Sequence, residues 1–169
     1  MAGLGLIALA ACGYSLQGRG INVDPSIKRI GVPTFRDKTG RPGLDQKITQ
    51  KVIEELLKRG KFDVVSASRG VDALVDGELT GYNVAPVGFT QAQGQATQAT
   101  RYVVSLTARV TYSKVGEKEP IWESAGFVFR DEYELGTNPQ LFFDREDQTV
   151  DRLTSAFASS LVQAMLEGF

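Results

Sequence analysis

Residues 101–113 alternate between apolar and polar side chains. The apolar positions share one parity, and they are Tyr102, Val104, Leu106, Ala108, Val110 and Tyr112. The other parity carries Ser105, Thr107, Arg109, Thr111 and Ser113. A period of two places alternate residues on opposite faces of a strand. The stretch therefore predicts a strand with one buried face and one face in water, which is typical of an antiparallel sheet covered on one side.

Two other segments show the helical period. Residues 44–59 repeat an apolar residue every four positions, at Leu44, Ile48, Val52 and Leu56. Gly60 follows them and suits the left-handed position that ends many helices. Residues 144–167 carry a second stripe, formed by Val150, Leu153, Phe157, Leu161 and Met165. Both stripes predict amphipathic helices that pack on the sheet.

The remaining segments are shorter or less regular. Further strands are expected at residues 27–35, 62–66, 73–84 and 121–131, with Ile121, Phe127 and Phe129 on one side of the last. Gly77 and Gly81 predict a bulge or bend in their strand. Residues 86–100 lack charge and periodicity and predict a long flexible loop. The order predicts an α+β two-layer sandwich, with a mixed or antiparallel sheet of about four to five strands and two helices packed on one face.

The composition excludes several kinds of function. Histidine is absent and Cys12 is the only cysteine, so neither a Cys/His zinc site nor a His-dependent catalytic triad can form. A net charge of −1 gives no general attraction for nucleic acid. Asp144, Glu146 and Asp147 resemble a catalytic carboxylate cluster, but acidic residues at a helix start favour the helix dipole. We therefore expect no catalytic residue, no metal and no cofactor.

The only cysteine ends a short apolar leader. The sequence Leu9-Ala10-Ala11-Cys12 has the small residues that lipoprotein signal peptidase needs before a cysteine that accepts lipid. It predicts a signal segment at 1–11, a lipid anchor and tether at 12–26, and a single domain at 27–169. The leader lacks Lys and Arg, which signal peptides carry, so we expect it to be truncated. The alternative is a buried free cysteine.

Four stretches together resemble the lipopolysaccharide-assembly lipoprotein family, LptE. Cys12-Gly13-Tyr14-Ser15-Leu16 is similar to the start of the mature chain in that family. Residues 27–35 resemble its first strand, residues 42–60 resemble its first helix, and Asn138-Pro139-Gln140 resembles the element before its last helix. The order of the elements agrees over nearly the whole mature chain.

The resemblance implies a non-enzymatic role. Members are lipid-anchored on the periplasmic side of the Gram-negative outer membrane, in its inner leaflet, where they plug and help assemble the β-barrel LptD. They also bind lipopolysaccharide and assist its insertion into the outer leaflet. Basic side chains would bind the lipid phosphates, and the candidates are Arg36, Lys38, Arg41, Arg101, Arg109, Lys114, Lys118 and Arg145. For each, the alternative is a charge that faces water or the barrel.

Two other functions fit the same order of elements. Small periplasmic lipoproteins of secretion systems, or those that activate peptidoglycan synthases, have a similar succession of strands and helices. An enzyme that uses only Asp and Glu is a third possibility. The protein that copurifies with this chain distinguishes them. A large β-barrel indicates the lipopolysaccharide-assembly function, whereas a synthase or a ring of identical subunits indicates another periplasmic lipoprotein system.

Overall fold

The computed structural model describes residues 24–91, 96–135 and 138–167. Cys12 and the predicted signal segment lie outside these residues, so the lipidation site stays a prediction. In chain order the elements are β1 (Arg29–Gly31), β2 (Arg36–Asp37), α1 (Leu44–Lys58), β3 (Asp63–Val65), β4 (Ala73–Thr90), β5 (Gln98–Lys114), β6 (Trp122–Glu134), a 3-10 turn (Pro139–Leu141) and α2 (Phe142–Glu167).

The six strands form one mixed sheet. Its order is β3-β1-β4-β5-β6, and β2 pairs with β4 farther along the same edge as β1. The short strands β1, β2 and β3 pair in parallel, whereas β4, β5 and β6 form a long antiparallel meander. The predicted α+β class is confirmed, with six strands instead of four to five.

Both helices pack together over one face of the sheet. The predicted stripes are buried, because Ile48, Val52 and Leu56 of α1 and Leu153 and Phe157 of α2 are all 0% exposed. The inward positions of β5 complete this core, as the alternation predicted. Helix α1 is followed by Gly60 with φ +66°, as expected for the residue that ends it. Helix α2 begins at Phe142, two residues before the predicted start.

The predicted first strand, residues 27–35, is wrong in its extent. Only Arg29–Gly31 pairs as β1, and β2 starts at Arg36. Between them Pro33 has no N–H to donate, and the N–H of Phe35 donates to Thr49 Oγ1 of α1 at 3.0 Å. The Phe35 ring lies against Gly77, where an added Cβ would overlap the ring. Gly77 therefore allows close packing, whereas Gly81 lies at the predicted bulge.

The predicted flexible loop at residues 86–100 is also wrong in its extent. Strand β4 continues to Thr90 and β5 begins at Gln98, so most of the stretch is an extension of the β4–β5 hairpin. Backbone pairing persists through register shifts around Gly88. Lack of charge and periodicity did not prevent strand formation, because cross-strand backbone hydrogen bonds do not depend on side-chain pattern.

The side chains of β6 switch from one face of the sheet to the other at a register shift. Trp122 pairs with Tyr112 and Ser124 with Val110, but Phe127 pairs with Ala108. One extra residue in β6 reverses the orientation of the side chains that follow. Phe127 packs against the core, whereas Ile121 is 43% exposed, so the predicted shared side of these two residues is wrong.

Candidate functional site

A cluster of charged residues lies on the face of the sheet that the helices leave open. This open-face cluster consists of Arg36 and Lys38 from the β2 segment, Asp76 and Glu78 from β4, and Arg109 from β5. The alternation of β4 places Asp76 and Glu78 outward, and Glu78 is the direct cross-strand neighbour of Arg109. The sheet therefore brings together three of the eight predicted lipid-binding residues.

Glu78 holds the three cations of this cluster. Its carboxylate lies 3.0 Å from Lys38 Nζ, 3.6 Å from Arg109 Nη1 and 3.6 Å from Arg36 Nε, and Arg36 Nη2 also lies 3.2 Å from Asp76 Oδ1. The hydrogen bond from Lys38 lowers the pKa of Glu78, with the nearby guanidinium groups acting in the same direction. A shallow cavity of about 260 Å³ lies beside the cluster and also contacts Thr111 and Ser113. Three cations against two carboxylates leave one positive charge in the open-face cluster.

A second group joins the loop before α1 to the start of α2. Arg41 forms ion pairs with the buried carboxylate of Glu146 and, at 2.8 Å, with Asp147 Oδ1. The Tyr82 hydroxyl donates to Glu146 Oε1 at 2.6 Å, and the Arg41 guanidinium lies 4.7 Å from the centre of the Tyr82 ring. Burial, followed by the hydrogen bond to Glu146, raises the pKa of Tyr82. Arg41 is thus held from three sides.

Arg145 lies beside a cleft of about 520 Å³ between the end of β6 and the first turns of α2. Within the described residues Arg145 has no ion pair, whereas Arg152 across the cleft pairs with Asp131 at 3.2 Å. The Tyr133 hydroxyl is buried beside the cleft with no hydrogen-bond partner in the described chain, and burial raises its pKa to about 12. The cleft therefore contains one unpaired cation and one buried donor, and the acidic residues Glu132 and Glu134 also line it.

The other three predicted lipid-binding residues are separate from these groups. Arg101 pairs with Glu134 at 3.4 Å near the hairpin end of β5. At the opposite end, Lys114 pairs with Asp24 at 2.6 Å and with Glu117 at 3.3 Å, and its hydrogen bond lowers the pKa of Asp24. Lys118, in the turn before β6, has no ion pair in the part of the chain that the structure describes. The eight residues thus form no single site.

The carboxylates that organise these groups were not predicted. Glu78 occupies an outward position of β4, and the pattern that could have revealed it is the pair of acidic residues at i and i+2, Asp76 and Glu78. Glu146 was predicted to stabilise α2 through the helix dipole. The helix begins earlier, however, and the Glu146 side chain is 8% exposed and forms an ion pair with Arg41. Its contacts with Arg41 and Tyr82 span 105 and 64 residues, which no local pattern encodes.

Replacing Glu146 with alanine should destabilise the domain more than replacing its neighbour Asp147. Glu146→Ala leaves the partly buried Arg41 and the Tyr82 hydroxyl without their shared acceptor, which we expect to cost about 2–3 kcal/mol. Asp147 is 75% exposed, so Asp147→Ala removes only a surface pair with Arg41 and should cost less than about 1 kcal/mol. Urea denaturation of both variants measures the difference, and equal losses would contradict the assigned role.

The described residues contain neither a membrane-spanning helix nor a metal-binding cluster. No helix there is both long and apolar enough to span a bilayer. No group of three or more acidic, cysteine or histidine side chains in the same residues is positioned to hold a metal ion.

The chain matches a protein-family model over most of its length. That model is LptE, described as lipopolysaccharide-assembly, and it matches residues 27–165. No curated protein matches the sequence.

Solved structures share the fold at low sequence identity. The PelC dodecamer from Paraburkholderia phytofirmans is 12% identical, with a TM-score of 0.52 and coverage of 85% of this chain and 90% of that chain. Rare lipoprotein B from Shewanella oneidensis is 14% identical, with a TM-score of 0.52 and coverage of 82% of this chain and 93% of that chain. These likenesses show the fold alone, whereas the family match rests on the sequence. The chain belongs to the LptE family of lipopolysaccharide-assembly proteins.

Proposed function

We propose that this protein is an outer-membrane lipoprotein that plugs an LptD-like β-barrel, helps that barrel assemble, and assists the insertion of lipopolysaccharide into the outer leaflet. The proposal extends the family's role in lipopolysaccharide assembly to a specific partner and place. Lipid attached to Cys12 would hold the domain on the periplasmic side of the membrane. The proposed role needs no catalytic residue and no cofactor.

The observation that carries this proposal is the uncovered polar face of the sheet. Its outward positions on β5 include Ser105, Thr107 and Thr111, together with the charged Arg109. The lumen of a membrane β-barrel is polar and contains water. A domain with a polar sheet face suits such a lumen, and Glu78 already neutralises part of the charge around Arg109.

The predicted contacts with lipid phosphates are part of the same proposal. Arg145 is the candidate best supported by its surroundings, because its guanidinium lies beside a large cleft and has no ion pair among the described residues. Lys118 is the other candidate without such a pair. The remaining six are all held by carboxylates, so a phosphate would have to compete with Glu78, Glu146, Glu134 or Asp24 for them.

Affinity purification from the native envelope tests the proposed partner. The full chain with a C-terminal tag is extracted in mild detergent and its partners are identified by mass spectrometry. We expect a β-barrel protein of the outer membrane at a constant ratio to the tagged chain. Recovery of a peptidoglycan synthase, or of a ring of identical subunits, would contradict the proposal and support the alternative lipoprotein systems.

The end of the β4–β5 hairpin should contribute to the surface that contacts the partner. Residues 79–100 contain no charged side chain, so less hydration free energy is lost when this end enters an interface. Val87 and Phe89 of the same end are 51% and 61% exposed. Deleting residues 91–98 should therefore lower the yield of the complex and weaken the outer-membrane barrier, with little change in the stability of the domain.

A second deletion provides the control for this experiment. Replacing residues 115–120, the turn at the opposite end of β5, with a three-residue Asn-Gly-Lys turn shortens a hairpin of the same sheet and keeps a lysine in the turn. We expect that variant to keep the normal yield of complex and the normal barrier. If the deletion of residues 91–98 leaves both quantities unchanged, the hairpin end does not contribute to partner binding.

A further inference from the structure

Strand β6 forms a free edge of the sheet. Among the strands of residues 24–91, 96–135 and 138–167 it is last in the order, and within these residues it pairs only with β5. The N–H of Leu135 donates to the Thr100 carbonyl at 2.8 Å, so Leu135 is a residue whose backbone groups face β5. In an antiparallel pair such residues alternate with residues whose N–H and C=O point away. The outward-facing backbone groups beyond the bulge therefore belong to Val128, Arg130, Glu132 and Glu134.

Two side chains form hydrogen bonds with the backbone N–H and C=O of Glu132, which point away from β5. Its N–H donates to Asp131 Oδ1 at 2.8 Å, and its carbonyl accepts a hydrogen bond from Arg152 Nη2 at 3.3 Å. Arg152 reaches this edge from α2 and is held there by a 3.2 Å ion pair between its Nε and Asp131 Oδ2. Asp131 and Arg152 thus satisfy both backbone groups that a further strand would need at Glu132.

The same edge is complementary to itself. Arg130 and Glu132 are exposed on the open face, opposite Ser105 and Val103 of β5, and neither forms an ion pair with another described residue. If β6 of a second copy paired antiparallel across a two-fold axis at Asp131, each Arg130 would lie opposite the Glu132 of the other copy. The adjacent registers would place Arg130 opposite Arg130, or Glu132 opposite Glu132, and like charges in such positions are destabilising. The favoured register also places Asp131 opposite Asp131, so in the parent protein this carboxylate opposes the pairing by repulsion as well.

We propose that the free edge of β6 is a self-association surface for a second copy of this chain, and that Asp131 and Arg152 keep it closed. In the favoured register the N–H and C=O of Glu132 would bond to the C=O and N–H of Arg130 in the other copy. Those two groups of Glu132 are the ones that Asp131 and Arg152 occupy. An unpaired strand edge attracts other strands, and here the two side chains compete directly with that pairing.

Sedimentation of the full chain, carrying Cys12→Ser to prevent lipid attachment, tests the proposal. Because Asp131 and Arg152 are at the surface of β6 and α2, Asp131→Ala combined with Arg152→Ala should leave the fold intact, which circular dichroism checks. We expect the parent protein to be monomeric and the double variant to dimerise, with self-association at least about tenfold tighter. The control is Lys47→Ala, which removes another exposed ion pair with α2, and it should stay monomeric.

Charge changes at the edge identify the surface that associates. In the Asp131→Ala, Arg152→Ala background, Arg130→Glu should abolish dimerisation because it places two carboxylates opposite each other. Adding Glu132→Arg reverses both charges and should restore the dimer. A double variant that stays monomeric, a dimer insensitive to Arg130→Glu, or a parent protein that already dimerises through this edge would each overturn the proposal. None of these outcomes depends on the barrel partner.

Discussion

Replacing Val52 with aspartate is expected to unfold the domain or lower its stability by several kcal/mol. Val52 is 0% exposed in the buried stripe of α1, between Ile48 and Leu56. An aspartate there would place a carboxylate in an apolar core without an ion-pair partner, a change that costs several kcal/mol. Since a domain of this kind is stable by only about 5–15 kcal/mol in total, the loss would be a large part of it.

The same substitution on the exposed side of α1 provides the control. Leu57 is 50% exposed, so Leu57→Asp introduces the same side chain into the same helix without burying it. Thermal denaturation followed by circular dichroism compares the two variants. Leu57→Asp should melt close to the parent protein, whereas a melting temperature of Val52→Asp within a degree or two of the parent would show that this stripe is not part of the core.

Replacing Cys12 with serine is expected to release the protein from the membrane. A hydroxyl cannot form the thioether through which a lipoprotein cysteine carries its diacylglycerol, so the anchor would be lost completely. Stable attachment by lipid needs more than one acyl chain. The variant, expressed behind a complete signal sequence, should lose labelling by radioactive palmitate and should appear in the soluble fraction.

The outcome of this experiment separates lipidation from other causes of release. Circular dichroism of the released protein should match that of the detergent-extracted parent, because the described helices and strands all lie within residues 29–167. Unchanged palmitate labelling in the serine variant would disprove Cys12 as the lipidation site. Loss of labelling without release would show that the domain binds the membrane through a second contact.

Local periodicity was sufficient to predict the elements that form the core. The stripe of α1, the stripe of α2 and the alternation of β5 are each read from residues close in sequence, and all three are buried as expected. Gly60 could be placed for the same reason, since a helix end is a local event. These elements establish the α+β class without knowledge of the pairing between strands.

The wrong predictions concern contacts between distant residues. Strand β1 ends early because the N–H of Phe35 bonds to Thr49 in a helix, and the side chains of β6 reverse at a bulge whose position depends on pairing with β5. The extended hairpin is stabilised by backbone hydrogen bonds that leave no periodic pattern in the sequence. Long-range register is not encoded in any one segment, and prediction from single segments therefore fails at these places.

The basic residues of the candidate site were found from the sequence, but their grouping was not. Any Lys or Arg can be proposed from the sequence as a phosphate ligand. Whether its side chain is free to bind phosphate depends on the carboxylates that lie next to it in the fold. Glu78 gathers Arg36, Lys38 and Arg109 from three different segments. Arg145 and Lys118 are distinguished from the others only by the pairs that they lack in the described residues.

The ion pair between Asp24 and Lys114 places the first described residue of the chain at one end of the sheet. That end is the C-terminal end of β5, and the β4–β5 hairpin lies at the other end. Strand β5 has seventeen residues and is up to about 55 Å long. The chain from residue 12 to residue 23 can span at most about 40 Å. If Cys12 carries the lipid, Lys114 and Lys118 stay within reach of the headgroups of the anchoring leaflet. Under the proposed function, Arg101 and Arg145 would then contact lipid at a different distance from that leaflet than Lys114 and Lys118.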